Sequence, residues 1–308
     1  MVDSTQNAGK LAKPETVSFQ KYDRRSLSYA STFKDPWKAS FIRVMEAFTG
    51  KLTILRLIRK FERKGAPSGQ AFWRACLDVM GIALTTPQAQ LDRIPKTGPV
   101  IVVANHPHGM VDGMIFADLI GSVRPDYRIL TRSLLTAIDE VAGSYMIPVP
   151  FPHDPDAQRK GVEMRAKAMQ HLKDGGVVAL FPSGVVAASE TWWGPAVEGE
   201  WNVFTAQLIR RSGATVLPMK FPGQNSRAYQ IANRVSPMIR QGLLLHEIVH
   251  ALNKPQGPIV GHPLDQDFVT SWKDDPRGFM AWLREQTEAQ KAKPEIDTNK
   301  EGYTTRKT

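Results

Sequence analysis

The sequence predicts an α/β fold, a mostly parallel sheet flanked by helices and preceded by an amphipathic helical hairpin. Three observations carry that reading. Short apolar runs alternate with longer segments of helical periodicity, as strand–helix–strand units require. Upstream of them, Phe41, Met45, Phe48, Leu52, Leu55 and Ile58 recur at three- and four-residue steps, one helical stripe. The chain has 308 residues, 42% of them hydrophobic and 23% charged, enough for one sizeable core and a smaller accessory segment.

In chain order, residues 1–30 are polar and aperiodic and are expected to form a disordered arm. Residues 31–95 form the helical segment. Its first helix spans Trp37 to Lys64, Gly65-Ala66-Pro67-Ser68-Gly69 breaks it, and Gln70 to Leu84 resumes helical character. Residues 96–291 form the α/β domain. Strands are expected at Pro99–Ala104, Tyr127–Thr131, Tyr145–Val149, Gly176–Phe181, Ala214–Lys220 and Pro258–Gly261. Helices are expected after Asp112, over about Asp156–Lys173 and Asn202–Arg211, and from about Phe279 to Lys291. Residues 292–308 read as a disordered tail.

Lys and Arg outnumber Asp and Glu by 40 to 30, a formal charge of +10, which favours nucleic acid, an anionic lipid surface or an acidic protein as partner. The first helix concentrates that charge, with Trp37, Phe41 and Phe48 at its apolar edge and Lys51, Arg56, Arg59 and Arg63 among its cations. These are candidate membrane-binding residues, because a basic amphipathic helix with aromatic residues suits an anionic bilayer surface. The competing reading packs the apolar face on the protein core and leaves the charges solvated. The single cysteine, Cys76, excludes an intrachain disulfide and fits a reducing compartment. The start of the chain lacks an apolar core, and no run reaches the roughly 18 apolar residues of a spanning helix. A peripheral protein at the cytoplasmic face of the plasma membrane is expected.

The sharpest feature is Asn105-His106-Pro107-His108-Gly109-Met110-Val111-Asp112-Gly113, directly after the first buried strand. Ligands of open α/β sheets collect at the carboxyl ends of strands. His106 there is suited to proton transfer. Asp112, in the first turn of the following helix, can accept the imidazole N–H and turn the other nitrogen toward a substrate hydroxyl, the orienting half of a triad without its serine. Pro107 and Gly109 force the turn between them. His108 competes for the base role, but its four-residue offset from Asp112 suits this Pro-Gly loop less well. The alternative to catalysis is a histidine that caps a helix.

This block resembles the first signature of the phospholipid/glycerol acyltransferase family, the PlsC-like enzymes. Phe181-Pro182-Ser183-Gly184 resembles the third block, and Val216-Leu217-Pro218 through Pro222-Gly223-Gln224-Asn225-Ser226 the fourth, so the likeness runs from about Thr97 to Leu264. The resemblance implies transfer of an acyl group from acyl carrier protein or coenzyme A to a lysolipid hydroxyl. His106 would be the base and Asp112 would stabilise its imidazolium, with no covalent intermediate, no metal and no cofactor beyond the acyl donor. It further implies that Asn105, Gly109, Phe181, Pro182, Ser183, Gly184, Pro218 and Asn225 line the substrate site and that Arg132 contacts the acceptor head group. Backbone amides near Gly184 or in the first loop are candidate oxyanion donors.

Two departures refine the implied acceptor. Five residues separate His106 from Asp112 where the family has four, and Ser183 with Val185-Val186-Ala187 replaces the usual Glu and Thr-Arg-Ser. Without that arginine a phosphate monoester is less well served. The pattern looks closest to the lyso-ornithine-lipid branch, which O-acylates a lyso-aminolipid; 1-acylglycerol-3-phosphate is the alternative acceptor. The implied partners are the lysolipid, acyl carrier protein and an anionic membrane surface.

Two rival readings remain. His246-Glu247-Ile248-Val249-His250 spells the zinc-protease pattern, although Asn253 stands where the extended pattern needs glycine and no third histidine follows. A nucleic-acid reading could use Trp192, Trp193 and Trp201 for stacking, but no base-reading module accompanies them. They are more simply lid, pocket or core aromatics.

Overall fold

The structure, a computed structural model, describes residues 28–132, 143–150, 154 and 156–291. The expected arm, apart from its last residues, and the expected tail lie outside the described residues. At the start, Tyr29–Thr32 makes a turn of 3-10 helix fixed to the first long helix, since Ser28 Oγ and Tyr29 N both donate to the Glu46 carboxylate, at 2.6 and 2.7 Å.

That helix begins where a start signal predicts it. Asp35 accepts from Trp37 N at 2.9 Å and Pro36 fills the first turn. It runs as α1 (Pro36–Glu46), widens through a π-helical turn (Ala47–Lys51), and continues as α2 (Leu52–Arg63). A Cβ at Gly50 would stand 2.8 Å from the Leu245 carbonyl oxygen, so only glycine lets the helix approach that closely. The core takes Ala39, Ile42, Ile54 and Phe61. The stripe read from the sequence crosses two faces: Phe41, Phe48 and Leu52 are exposed, whereas Met45, Leu55 and Ile58 are half-buried. Trp37, Phe41, Val44, Phe48 and Leu52 share the outer face, with Trp37 85% and Phe48 88% exposed. α3 (Ala71–Met80) packs against α2 and ends at the left-handed Gly81. It stops short of the expected Leu84, and a short α4 (Gln88–Leu91) follows.

The domain alternates as expected: β1 (Val100–Ala104), α5 (Met110–Gly121), β2 (Tyr127–Arg132), β3 (Met146–Val149), α6 (Ala157–Lys173) and β4 (Val177–Leu180). A small hairpin of β5 (Ala188–Ser189) and β6 (Ala196–Val197) comes next, then α7 (Val203–Ser212) and β7 (Thr215–Lys220). Three short helices, α8 (Arg227–Val235), α9 (Pro237–Gly242) and α10 (Leu244–His250), precede β8 (Ile259–Val260). The described chain closes with α11 (Gln266–Ser271) and α12 (Pro276–Ala289). The main sheet has the order β3-β2-β4-β1-β7-β8, with every neighbour parallel except the β7–β8 edge pair.

Both faces of this sheet are covered, which is why its central strands read as continuous apolar runs. In β1, Val100, Val102 and Ala104 face the side of α2, α3 and α5 with Phe72, Leu77 and Phe116. Ile101 and Val103 face the side of α6, α7 and α12 with Leu172, Leu208 and Leu283. At the lower, N-terminal end of the strands Arg124 gathers three connections. It donates to the carbonyls of Pro95, Gly98 and Gly175 and pairs with Asp126 at 2.7 Å. No helix among the described residues is long and apolar enough to cross a membrane.

Candidate active site

Three loops meet over the carboxyl end of β1, because β1 lies between β4 and β7. The registers Val103↔Leu180 and Ala104↔Met219 bring the loop beginning at Asn105 beside those beginning at Phe181 and Phe221. Asn105, buried, ties two of them: its Nδ2 donates to Phe221 O at 2.9 Å and its Oδ1 accepts from Phe221 N at 2.7 Å. Gly109, at φ +69°, turns the chain into α5 and brings Asp112 back under the loop.

Asp112 is completely buried, and it binds two histidines rather than one. Its Oδ2 lies 3.1 Å from His106 Nδ1 and accepts from His108 N at 2.7 Å, while its Oδ1 lies 3.0 Å from His108 Nδ1. Burial alone would raise its pKa, but the hydrogen bonds from the two imidazoles outweigh that and hold it below the usual carboxylate range. An ionised Asp112 only accepts, so each Nδ1 carries a hydrogen and, in the neutral ring, each Nε2 holds the lone pair. Burial depresses His108, yet the hydrogen bond and charge of Asp112, with the charge of Glu247, leave its pKa raised despite the opposing charge of Lys254.

The His106 ring stacks on Phe181, centroids 3.9 Å apart, and Phe181 stacks in turn on Phe116 at 4.8 Å. Such a stack fixes the ring plane and favours a developing imidazolium. Around it, Pro182 is buried, Ser183 is half-buried and Gly184 is exposed. Both peptide groups of His106 are also held. Its N–H donates to the carboxylate of Glu198 at 3.0 Å, and its carbonyl accepts from Ala187 N at 2.8 Å. The other Glu198 oxygen accepts from the Trp201 indole N–H at 3.1 Å, and the Ser183 hydroxyl, which donates to Val185 O at 3.0 Å, stands beside the same carboxylate. Burial leaves the Glu198 pKa above its ordinary value against those hydrogen bonds.

The geometry is that of a base held from behind: an oriented imidazole with a free lone pair, a buried carboxylate to take up its charge, and an aromatic floor. A cavity of about 300 Å³ lies elsewhere, between Pro148 and Pro150 on one side and Met164 and Lys167 on the other, and contains none of these residues. The polar groups converge instead at the strand ends, where ligands of open α/β sheets collect.

Residues 88–221 match the family model described as acyltransferase. The matched segment is an acyltransferase domain. No curated protein matches the chain. Among solved structures, the chain is similar to the crystal structure of the 1-acyl-sn-glycerophosphate (LPA) acyltransferase PlsC from Thermotoga maritima, at 14% identity and a TM-score of 0.47, covering 83% of this chain and 91% of that one.

The remaining site residues of the acyltransferase are placed unevenly. Arg132 ends β2, but its side chain and residues 133–142 after it lie outside the described residues. Pro218 lies within β7 opposite Val103, buried in the sheet below the loops, so it shapes β7 rather than lining an open site. Asn225 is buried and its Nδ2 meets no partner among the described residues, which leaves a donor available there. The zinc-protease reading fails on geometry. Glu247 is buried and accepts from Ser226 N and Oγ at 2.7 and 2.6 Å, His246 Nδ1 faces Thr49 O, and His250 accepts from Lys254. No group of three metal-capable side chains occurs among the described residues. Trp201 is a core residue, whereas Trp192 and Trp193 stand exposed at the tip of the β5–β6 hairpin.

Two residues of the site differ from the sequence expectation or lie beyond it. The four-residue offset of His108 from Asp112 suits a Pro-Gly loop less well than a helix, yet the Gly109 turn, just before the helix, brings His108 onto Asp112. Glu198 carries no signal in the sequence, since only the hairpin's return brings it to His106.

Proposed function

We propose that the enzyme O-acylates a lysolipid, with His106 as base. His106 Nε2 takes the proton of the acceptor hydroxyl as that oxygen bonds to the thioester carbonyl carbon of the donor. The tetrahedral oxyanion then collapses, the carbon–sulfur bond breaks, and the departing sulfur takes the proton from the imidazolium, which restores the neutral base. Asp112 stabilises the imidazolium between those steps. The observation that carries this reading is the His106–Asp112 pair at the end of β1 inside the matched segment.

For the acceptor we favour a lyso-aminolipid such as lyso-ornithine lipid, with acyl carrier protein or coenzyme A as acyl carrier. Val185, Val186 and Ala187 occupy the stretch after Gly184 where a phosphate-binding arginine would serve a monoester, which supports that choice. 1-Acylglycerol-3-phosphate, the acceptor after which the Thermotoga maritima enzyme is named, is the alternative. Docking on the cytoplasmic leaflet is assigned to α1 and α2. The exposed face of Trp37, Phe41, Val44, Phe48 and Leu52 and the neighbouring exposed cations Arg56, Arg59 and Arg63 support it.

The test supplies acyl-acyl carrier protein or acyl-CoA with each lysolipid in vesicles and follows product by mass spectrometry. The lyso-aminolipid should be the better acceptor; a preference for 1-acylglycerol-3-phosphate replaces it with the alternative. His106→Ala should cut turnover by about 10²–10⁴-fold with the fold intact. Asp112→Asn should also lose activity, by misorienting the ring. Unchanged turnover in the His106 variant sinks the mechanism.

A further inference from the structure

The β5–β6 hairpin leaves the site loop and returns to it, and it touches the same residue at both ends. Ala187 N, at its start, donates to His106 O at 2.8 Å, and Glu198, at its end, accepts from His106 N at 3.0 Å. We infer that Glu198 is a positioning residue for the transfer reaction, its carboxylate clamping the peptide of the base so that the imidazole faces the acceptor.

Three observations carry this. A carboxylate 6% exposed is costly unless its oxygens are bonded, and here each oxygen has its own donor: His106 N on one, Trp201 Nε1 on the other. The groups it joins belong to different segments, so its place in the fold depends on the loop after β1 as much as on the hairpin that ends just before it. The site block also lacks an acidic residue of its own, since Ser183 stands where the resembled pattern has glutamate. The side chain of Ser183 lies against Glu198, and a Cβ at Gly199 would come within 3.3 Å of it. The acidic group at this loop is therefore supplied from further along the chain.

A clamp of this kind sets direction. The His106 ring is held by Asp112 at Nδ1 and by Phe181 on its face, and neither contact fixes the backbone from which the ring projects. With the His106 amide freed and only the His106 carbonyl held, by Ala187 N, the peptide before His106 can turn and carry Nε2 away from the acceptor oxygen. Displacement of a reacting group by about 1 Å costs on the order of 100-fold in rate.

The inference rests on His106 as the base, and the two can fail separately. An active His106→Ala variant removes the base assignment. An inactive His106→Ala beside a fully active Glu198→Gln removes only the role of Glu198. Glu198→Gln offers one amide oxygen to two N–H donors, so kcat should fall by about 10–100-fold while KM for both substrates stays within about twofold. Trp201→Phe removes the second donor and should leave kcat near the wild-type value. Adding Trp201→Phe to Glu198→Gln then frees the amide oxygen for His106 N and should recover kcat to within about threefold of Trp201→Phe alone. A carboxylate that only packed the core would give additive losses in melting temperature and no recovery of kcat. Wild-type kcat in Glu198→Gln, or a double variant as slow as Glu198→Gln, overturns the inference.

Discussion

Asp112 carries more than its position in the motif suggests, because it is the common acceptor for His106 Nδ1, His108 Nδ1 and His108 N. That sharing gives the site a signed pH dependence. The raised pKa of His108 means that its partners Asp112 and Glu247 stabilise the fold more when the ring is protonated, with Lys254 opposing. This contribution is complete below histidine's ordinary value of about 6.5 and is lost as pH rises through the higher folded value. Asp112, with its lowered pKa, contributes above its ordinary value of about 3.9, and that part is lost as pH falls through the folded value. His108→Ala should therefore cost more stability at pH 5.5 than at pH 8.5, measured by urea unfolding at the two pH values, with about 1–3 kcal/mol at both from the Asp112 Oδ1 left without its donor. An identical cost at the two pH values would remove the charge from the account.

At the scale of elements, the strands were legible because burial on both faces of a parallel sheet writes an apolar run such as Val100–Ala104. The base loop was legible because a strand end followed by His-Pro-x-Gly has few other uses. Three things were not. The two-residue strands β5 and β6 are too short to write a period, so nothing pointed to Glu198. The helices α8 and α9 fall below the length at which periodicity separates from chance. The helical stripe of α1 and α2 revealed an apolar face but not its neighbour: the core took Ile42, Ile54 and Phe61, and Trp37, Phe41, Phe48 and Leu52 face outward. The outer residues make few contacts, so replacing Trp37 and Phe48 by serine should change stability by no more than about 0.5 kcal/mol each. Burial of such a side chain in hydrocarbon is worth about 1.5–3 kcal/mol, so the same pair of changes should weaken binding to anionic vesicles more than about tenfold. Undiminished binding in a sedimentation assay would leave that face without a bilayer.

At the scale of the molecule, the two ends of the sheet do different work. The upper end gathers the loops that hold His106; the lower end is fastened by Arg124, whose guanidinium reaches the carbonyls of Pro95, Gly98 and Gly175 and the Asp126 carboxylate. Arg124→Ala should lower unfolding free energy by about 3 kcal/mol, since several carbonyls lose a buried donor. Turnover per folded molecule at 25 °C should stay unchanged, because the site stands at the opposite end; a fall in kcat at equal folded fraction would show that the ends are coupled. The hairpin pinned to His106 at both feet has one more consequence. Its closure is set at Ala187 and Glu198, so doubling the length of the strip that carries Trp192 and Trp193 adds only about 0.6 kcal/mol of chain entropy. Beyond its two feet the tip meets the α8 side, through Arg227 on Gly194 O and Arg234 over Trp192. It can change length or composition across generations while the proposed base keeps its aim, so selection can retune the rim without rebuilding the site.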